Sequence, residues 1–388
     1  MPGTSVRSLL TVCSLAAQTS AAVIDLPIWF RNTYAVVQVA IGTPPKDHLL
    51  RFDTGSATTW VVDEVCETEC ANYSGYPRNG YNASASSTAG SLGIYGSIEY
   101  LGGDTAGPGV YDQFSVGGTS WNQTFMAANE SSWAQTAADG FFGLAFSSIA
   151  DAGTATVVET MMQQGMLDEA RFGIYYGREF NDTGDGPGDG ELTIGGSKEE
   201  KYADGDLTWV PLQYTWDGFQ VWRTRIAAMT GSTTSANGTK EEATVGFESW
   251  SWSVFDTGAG SISVPENQVD AIYASIGMDY RAILDGHHIP LCSEFNSSWS
   301  VSFNFPDDDE TRLITLTGDQ LARPGFAERE DACWPPFDGG NQDGFFLIGT
   351  PLLHQFYTVW DFGAKEVQNY QPRIGFGTLK PEFRGIRS

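Results

Sequence analysis

Positive charge is scarce in this chain. Its 388 residues carry 21 Lys and Arg against 48 Asp and Glu, a formal net charge of -27 at neutral pH. That balance argues against a nucleic-acid partner, because phosphate binding needs clustered cations to displace counterions. The same imbalance suits solubility, and it suits acid, where a Lys-rich protein would acquire a large repulsive positive charge. Histidine is scarcer still. His48, His287, His288 and His354 show no ligand spacing with the cysteines and no catalytic context, and there is no Gly-x-Ser-x-Gly. Zinc and a Ser-His-Asp site are therefore disfavoured, and no metal or cofactor is expected.

Long apolar runs are also missing. The stretch from Ser8 to Ala17, preceded by Arg7 and followed by Thr19-Ser20-Ala21-Ala22, is too short and too interrupted to span a bilayer. It reads as a secretory signal over residues 1–22, cleaved near Ala22, so an exported protein with no membrane span is expected. Of five cysteines, Cys13 leaves with that signal. Cys66, Cys70, Cys292 and Cys333 remain, and an even number in an exported chain suggests two disulfides. Of the three connectivities, Cys66 with Cys70 and Cys292 with Cys333 is the simplest. Seven Asn-x-Ser/Thr sequons, at Asn72, Asn82, Asn122, Asn129, Asn181, Asn237 and Asn296, fit an exported glycoprotein.

What is abundant points to strands. The chain is 41% hydrophobic and 13% aromatic with 45 glycines, enough to pack sizeable cores between many turns. Short apolar or alternating runs at Tyr34–Ile41, Leu49–Phe52, Trp60–Val62, Gln113–Val116, Arg171–Tyr176 and Leu192–Ile194 are separated by Gly, Pro, Asn and Asp. Helical pattern is confined to Ala155–Leu167 and Glu266–Ile276, the second opening after Pro265. Residues 181–190 and 232–238 read as surface loops. The acidic residues of the first do not have the spacing of a calcium loop.

The most informative feature is a repeat. Phe52-Asp53-Thr54-Gly55-Ser56 is echoed 203 residues later by Phe255-Asp256-Thr257-Gly258-Ala259. Each copy is followed by two bulky apolar residues and a glycine, Phe141-Phe142-Gly143 at 90 residues from Asp53 and Leu347-Ile348-Gly349 at 93 from Asp256. A lone Asp-Thr-Gly could sit in any turn. Two copies, each behind an apolar strand and each with a distal partner, imply two lobes of one design.

In such a turn the aspartate supplies a carboxyl, the glycine permits close backbone approach, and the threonine hydroxyl can lock the turn to a neighbour. Two of these turns facing one another would hold two carboxyls that cannot both ionise, so one proton is shared. A water between them can then be deprotonated as it attacks a carbonyl, while the protonated partner stabilises the oxyanion. Paired carboxyls also hydrolyse glycosides, but that chemistry needs an acid and a base at a defined separation rather than a duplicated, symmetric mount.

On these residues the chain resembles the pepsin family of two-lobed aspartic proteases, of the secreted fungal kind, from about Tyr34 to Gly377. Val39–Pro45 resembles the strand leading to the first aspartate and Trp60-Val61-Val62 the strand after it. Gly195-Gly196 through Leu207–Leu212 is similar to the interlobe segment. The resemblance implies a mainly β, bilobal acid-protease fold, with an N-terminal lobe over 23–210 and a C-terminal lobe over 211–388. It implies a polypeptide substrate, no cofactor and a monomer.

By the same resemblance Asp53 and Asp256 are the catalytic pair. Thr54 and Thr257 bond across the lobes, Ser56 supports Asp53, and Gly55 and Gly258 complete the turns. A tyrosine on a β-hairpin flap would close over substrate and meet Trp60. Tyr100 has the family's spacing to Tyr111-Asp112, with Leu101 in place of the usual glycine. Tyr95-Gly96-Ser97 has the local look but lies too far upstream. The family's basic prosegment has little room, since about ten residues separate Ala22 from the first family-like strand. An extended cleft lined by Trp60, Phe125, Phe219 and Trp222 would favour bulky apolar side chains. The competing reading is a silent binding protein on the same scaffold, holding peptide or polysaccharide. Degenerate members commonly lose one Asp or its Gly, and here both motifs are complete.

Overall fold

A computed structural model describes residues 22–178, 182–184, 186–307 and 310–385. The secretory segment as far as residue 21, and Asn181 in the acidic loop, lie outside the described residues. Strands dominate, and they divide into one large sheet and two smaller ones.

Among the described residues the large sheet has fourteen strands, thirteen in one row and Glu130–Ser131 paired beside Gly103–Val116. It begins at Thr208–Pro211, passes through the chain's last two strands Arg373–Thr378 and Phe356–Asp361, then Arg171–Tyr175 and Glu191–Ile194. It continues through Ile24–Arg31, Tyr34–Ile41, Lys46–Asp53, Gly140–Gly143, Trp60–Val62, Thr119–Ala128 and Gly103–Val116 to Gly90–Tyr100. The end of the chain is thereby hydrogen-bonded into the first half. The second half has its own five-stranded sheet, ordered Arg223–Arg225, Trp252–Phe255, Phe345–Ile348, Ile262–Pro265 and Asp338–Asn341. Its four-stranded sheet is ordered Lys240–Gly246, Ala228–Thr234, Trp299–Asp307 and Glu310–Thr317.

Burial follows side-chain alternation. Trp299–Asp307 buries every second residue over most of its length, as a strand with one face on a core must. Gly140–Gly143 is buried throughout, because it runs inside the sheet with both faces covered.

The repeated motif becomes repeated topology. Phe52 and Asp53 pair in parallel with Phe142 and Gly143, while Trp60 pairs antiparallel with Phe141. Likewise Phe255 pairs in parallel with Ile348, and Ile262 pairs antiparallel with the same residue. In each half the distal apolar strand slots between the strand entering the aspartate turn and the strand leaving it. The glycine that ends the distal strand is required by close approach: a Cβ on Gly143 would lie 2.2 Å from the Ala57 carbonyl oxygen, and one on Gly349 would lie 2.3 Å from that of Ala259.

Short helices form at Glu199–Tyr202, Tyr280–Leu284 and Thr350–Leu353, outside the expected ones, and both expected helices are shorter than their sequence patterns. One is Val157–Gln163, where the Thr156 side chain accepts the Glu159 N–H and Gly165, at φ 67, turns the chain away. The other is Val269–Ser275, since Pro265 still belongs to a strand and the Glu266 N–H is used by the Asn341 carbonyl. The loop expected at 232–238 is also narrower. Strand pairing extends to Thr234 opposite Lys240, leaving a turn in which the Asn237 side chain accepts from Ser235 and Thr239. Two disulfides are present, Cys66–Cys70 and Cys292–Cys333. Among the described residues no helix is long and apolar enough to cross a membrane.

Candidate active site

The two aspartate turns meet tip to tip. The Thr54 N–H donates to Thr257 Oγ1 and the Thr257 N–H donates to Thr54 Oγ1, both at 3.0 Å. Each hydroxyl passes its own hydrogen across, Thr54 to the Phe255 carbonyl at 2.9 Å and Thr257 to the Phe52 carbonyl at 3.2 Å. These four bonds are buried and reciprocal, so neither turn can shift without disturbing the other.

Asp53 and Asp256 are brought into hydrogen-bonding contact with one another by this lock. The Gly55 N–H donates to Asp53 Oδ1 at 2.9 Å and the Ser56 hydroxyl to Asp53 Oδ2 at 2.5 Å. On the other side the Gly258 N–H donates to Asp256 Oδ1 at 2.6 Å, and Ala259 has no hydroxyl to offer. Both glycines are demanded by the partner turn. A Cβ on Gly55 would lie 2.5 Å from the carboxyl carbon of Asp256, and one on Gly258 would lie 2.6 Å from Asp53 Oδ1. The Asp256 carboxyl is held well above the ordinary carboxylate range. Withdrawal from bulk water is the largest cause, followed by the neighbouring charge and hydrogen bond of Asp53.

A β-hairpin overhangs the pair. Gly90–Tyr100 runs antiparallel to Gly103–Val116, with Tyr100 opposite Gly103 and Leu101-Gly102 at the tip. Trp60 Nε1 donates to the Tyr100 hydroxyl at 3.0 Å, and Tyr100 packs against Trp133 and Phe141. Trp60, 2% exposed and stacked on Phe141, reaches the cleft through Tyr100 rather than lining it. Tyr95 is elsewhere, 55% exposed, with its hydroxyl donating to Asn129 and Glu130. The expected aromatic lining needs correction. Phe125 and Trp222 are fully buried core residues, Phe125 because Thr119–Ala128 turns it inward and Trp222 because it packs among Phe146, Phe172, Trp360 and Phe362 with its Nε1 donating to the Leu144 carbonyl. Phe219 is partly buried and packs on Phe146 and Tyr214.

Three residues beside the pair were not singled out in the sequence. Arg51, two residues before Asp53, has its guanidinium inside the protein, donating to the Gly258 carbonyl across the lobe boundary. The signal was legible, since residues two apart on a strand share a face and Arg51 therefore accompanies Asp53. Tyr176 is fully buried against Phe52, its hydroxyl raised by burial first and then by the charge of Asp256. His354 lies with its ring centroid 4.0 Å from that of Tyr176. Its Nε2 is covered, and loss of water holds the imidazole at about 3. Among the described residues no group of His, Cys, Asp and Glu is arranged to hold a metal.

A two-lobed β protein with mirrored carboxyl turns under a hairpin defines a class, and comparison with known proteins gives it a name. Residues 33–371 match the family described as eukaryotic aspartyl protease. Curated relatives include pepsin A of Rhinolophus ferrumequinum, 28% identical over 85% of this chain and 78% of that protein. Gastricsin of Mus musculus is 25% identical over 88% and 81%, and napsin-A of Homo sapiens 27% identical over 87% and 78%. The chain belongs to the eukaryotic aspartyl protease family. It has the pepsin-like bilobal fold and is an aspartic endopeptidase, a hydrolase acting on polypeptides.

Proposed function

We propose that this chain is a secreted, monomeric endopeptidase that works in acid, with Asp53 and Asp256 as its catalytic pair. The observation that carries the reading is the reciprocal threonine lock, which presents two carboxyls to one point from two separate turns. Two carboxyls in contact share a single proton, as aspartic proteases in general do. The elevated Asp256 is its natural holder, and Asp53, with two donors on its oxygens, is the base.

The reaction then balances without a metal. A water between the carboxyls gives a proton to Asp53 as its oxygen bonds to the scissile carbonyl carbon, and Asp256 gives its proton to the carbonyl oxygen. In the resulting diol the C–N bond breaks, the leaving nitrogen takes the proton from Asp53, and a diol hydroxyl returns one to Asp256. Tyr100, held by Trp60, would close the hairpin over the substrate backbone.

Acid operation has support outside the pair. Asp139 is buried, and its carboxyl is pushed up to about 6 by loss of water although the Leu49 and Asn79 N–H groups both donate to it. A carboxyl raised in the folded state contributes stability that is complete below its unfolded value near 3.8 and is lost as pH rises through about 6. The two disulfides and the sequons fit export.

Incubation of the purified protein with a denatured polypeptide across pH 2 to 7 tests the proposal. Cleavage confined to the acid range and blocked by a hydroxyl-bearing peptide mimic of the tetrahedral diol is expected. Cleavage indifferent to pH and to the mimic would contradict it.

A further inference from the structure

We propose that Arg51 is the counter-cation of the aspartate pair, a positioning residue that balances the pair's one negative charge and ties the second aspartate turn to the first lobe. The inference rests on reading Asp53 and Asp256 as the catalytic pair and adds the group that sets their charge.

Arg51 is only 7% exposed, in a strand that is buried on both sides of it. A buried cation is costly unless it is paired. Arg171, Arg281, Arg312, Arg329 and Arg373 each have a carboxylate within 4 Å. Arg51 has none among the described residues. Instead Nη2 donates to the Gly258 carbonyl. That glycine gives its N–H to Asp256, and its α-carbon faces Asp53 Oδ1. The guanidinium carbon stands 4.5 Å from the ring centre of Tyr34, 5.3 Å from that of Phe141 and 6.0 Å from that of Trp133. Aromatic faces attract a cation and exclude water, which lengthens the reach of its charge toward the carboxyls.

The ionisable groups around Arg51 are Asp53 on its own strand, Asp256 on the facing turn, Tyr34 on the adjacent strand and Tyr176 behind the pair. Asp139, at the head of the neighbouring strand, is held by the Leu49 and Asn79 N–H groups and feels the charges of Arg78 and Arg31. The carboxyls among the groups around Arg51 are the two aspartates, which are the anions left for it. The charge count also agrees. The mirror position in the second turn is Val254, so the site has one cation for two carboxyls that share one proton. Asp256, elevated as it is, is drawn partly back down by Arg51.

The test is the pH profile of kcat/KM for Arg51→Gln, which keeps a donor for the Gly258 carbonyl but loses the charge, beside Arg51→Lys, which keeps the charge. Removing a cation makes both protons of the pair harder to lose. Both limbs of the profile should therefore move to higher pH by about one unit in Arg51→Gln and stay within about 0.3 unit in Arg51→Lys. The thermal unfolding midpoint is recorded against pH on the same proteins, so that the pair's titration is followed even where cleavage is absent. A Gln profile that superimposes on the parent's, with the parent's acid activity intact, overturns the role of Arg51 and leaves the pair standing. A parent whose activity survives Asp53→Asn overturns the pair itself. If Arg51→Gln and Arg51→Met fail to fold while Arg51→Lys folds, the buried charge is required and the proposal stands. If none of the three folds, Arg51 is a packing element and the proposal falls.

Discussion

The two aspartate turns share a backbone plan and differ in what they give their carboxyls. Around Asp53 the sequence is Arg51-Phe52-Asp53-Thr54-Gly55-Ser56, and around Asp256 it is Val254-Phe255-Asp256-Thr257-Gly258-Ala259. The shared residues build the symmetric part: the apolar anchor, the threonine lock and the glycines that let the turns touch. The unshared residues build the asymmetry. Ser56 donates its hydroxyl to the Asp53 carboxyl, Ala259 has no side-chain donor for the Asp256 carboxyl, and the cation is on the first strand alone. A symmetric mount holds two carboxyls at one point, and in the proposed mechanism the asymmetric residues are what separates the acid from the base.

Breaking the shared part should do the most damage. Gly55→Ala puts a methyl against the Asp256 carboxyl and Gly258→Ala puts one against Asp53. Either should lower kcat by about 10²-fold or more, since displacing a reacting group by a fraction of an ångström has that effect. Steady-state kinetics with circular dichroism as a folding control checks it.

Exchanging the unshared part should do less. Ser56→Ala, which makes the first turn like the second, removes a hydrogen bond to a carboxylate worth about 1.5–3 kcal/mol, or roughly 10- to 100-fold in kcat. Ala259→Ser, which makes the second turn like the first, should change kcat by less than about 10-fold. Equal effects of the two exchanges would show that the halves are functionally equivalent.

The smallest expected effect concerns the residues behind the pair. His354 has an imidazole depressed to about 3, so the folded state resists a proton that the unfolded chain accepts near 6.5. Stability contributed by keeping it neutral is complete above about pH 6.5 and is lost as pH falls toward 3. His354→Phe, matching the edge contact with Phe30, should raise the unfolding midpoint at pH 4 and leave it nearly unchanged at pH 7. The gain is on the order of a few kcal/mol at most, because the ring is only partly buried. Unfolding scans at the two pH values measure the difference.

The halves were also unequally legible. The mirrored motifs and the distal Gly143 and Gly349 stand out because identical backbone requirements leave identical residues in the chain. The strands Tyr34–Ile41 and Trp60–Val62 run over the residues their apolar character marks, because nothing competes with strand pairing there. Helix ends were harder to place, since Pro265 is drawn into a strand by Asp338–Asn341, a partner far away in sequence. Phe125 looks like any aromatic until its strand is assigned a face, and Trp222 until its ring neighbours are known. Arg51 carries no such mark, because one basic residue in an apolar strand belongs to no repeat, although its two-residue spacing puts it on the same strand face as Asp53.

The central claim is that the two turns form one catalytic unit despite their differences, and the kcat values of Asp53→Asn, Asp256→Asn and the double variant on one peptide test it most directly. Residues that act as a unit are not additive. Each single variant should lose about 10⁴-fold or more, and the double variant should lose no more than the worse single. A single variant that retains activity, or a double variant whose loss equals the product of the two singles, would contradict the account.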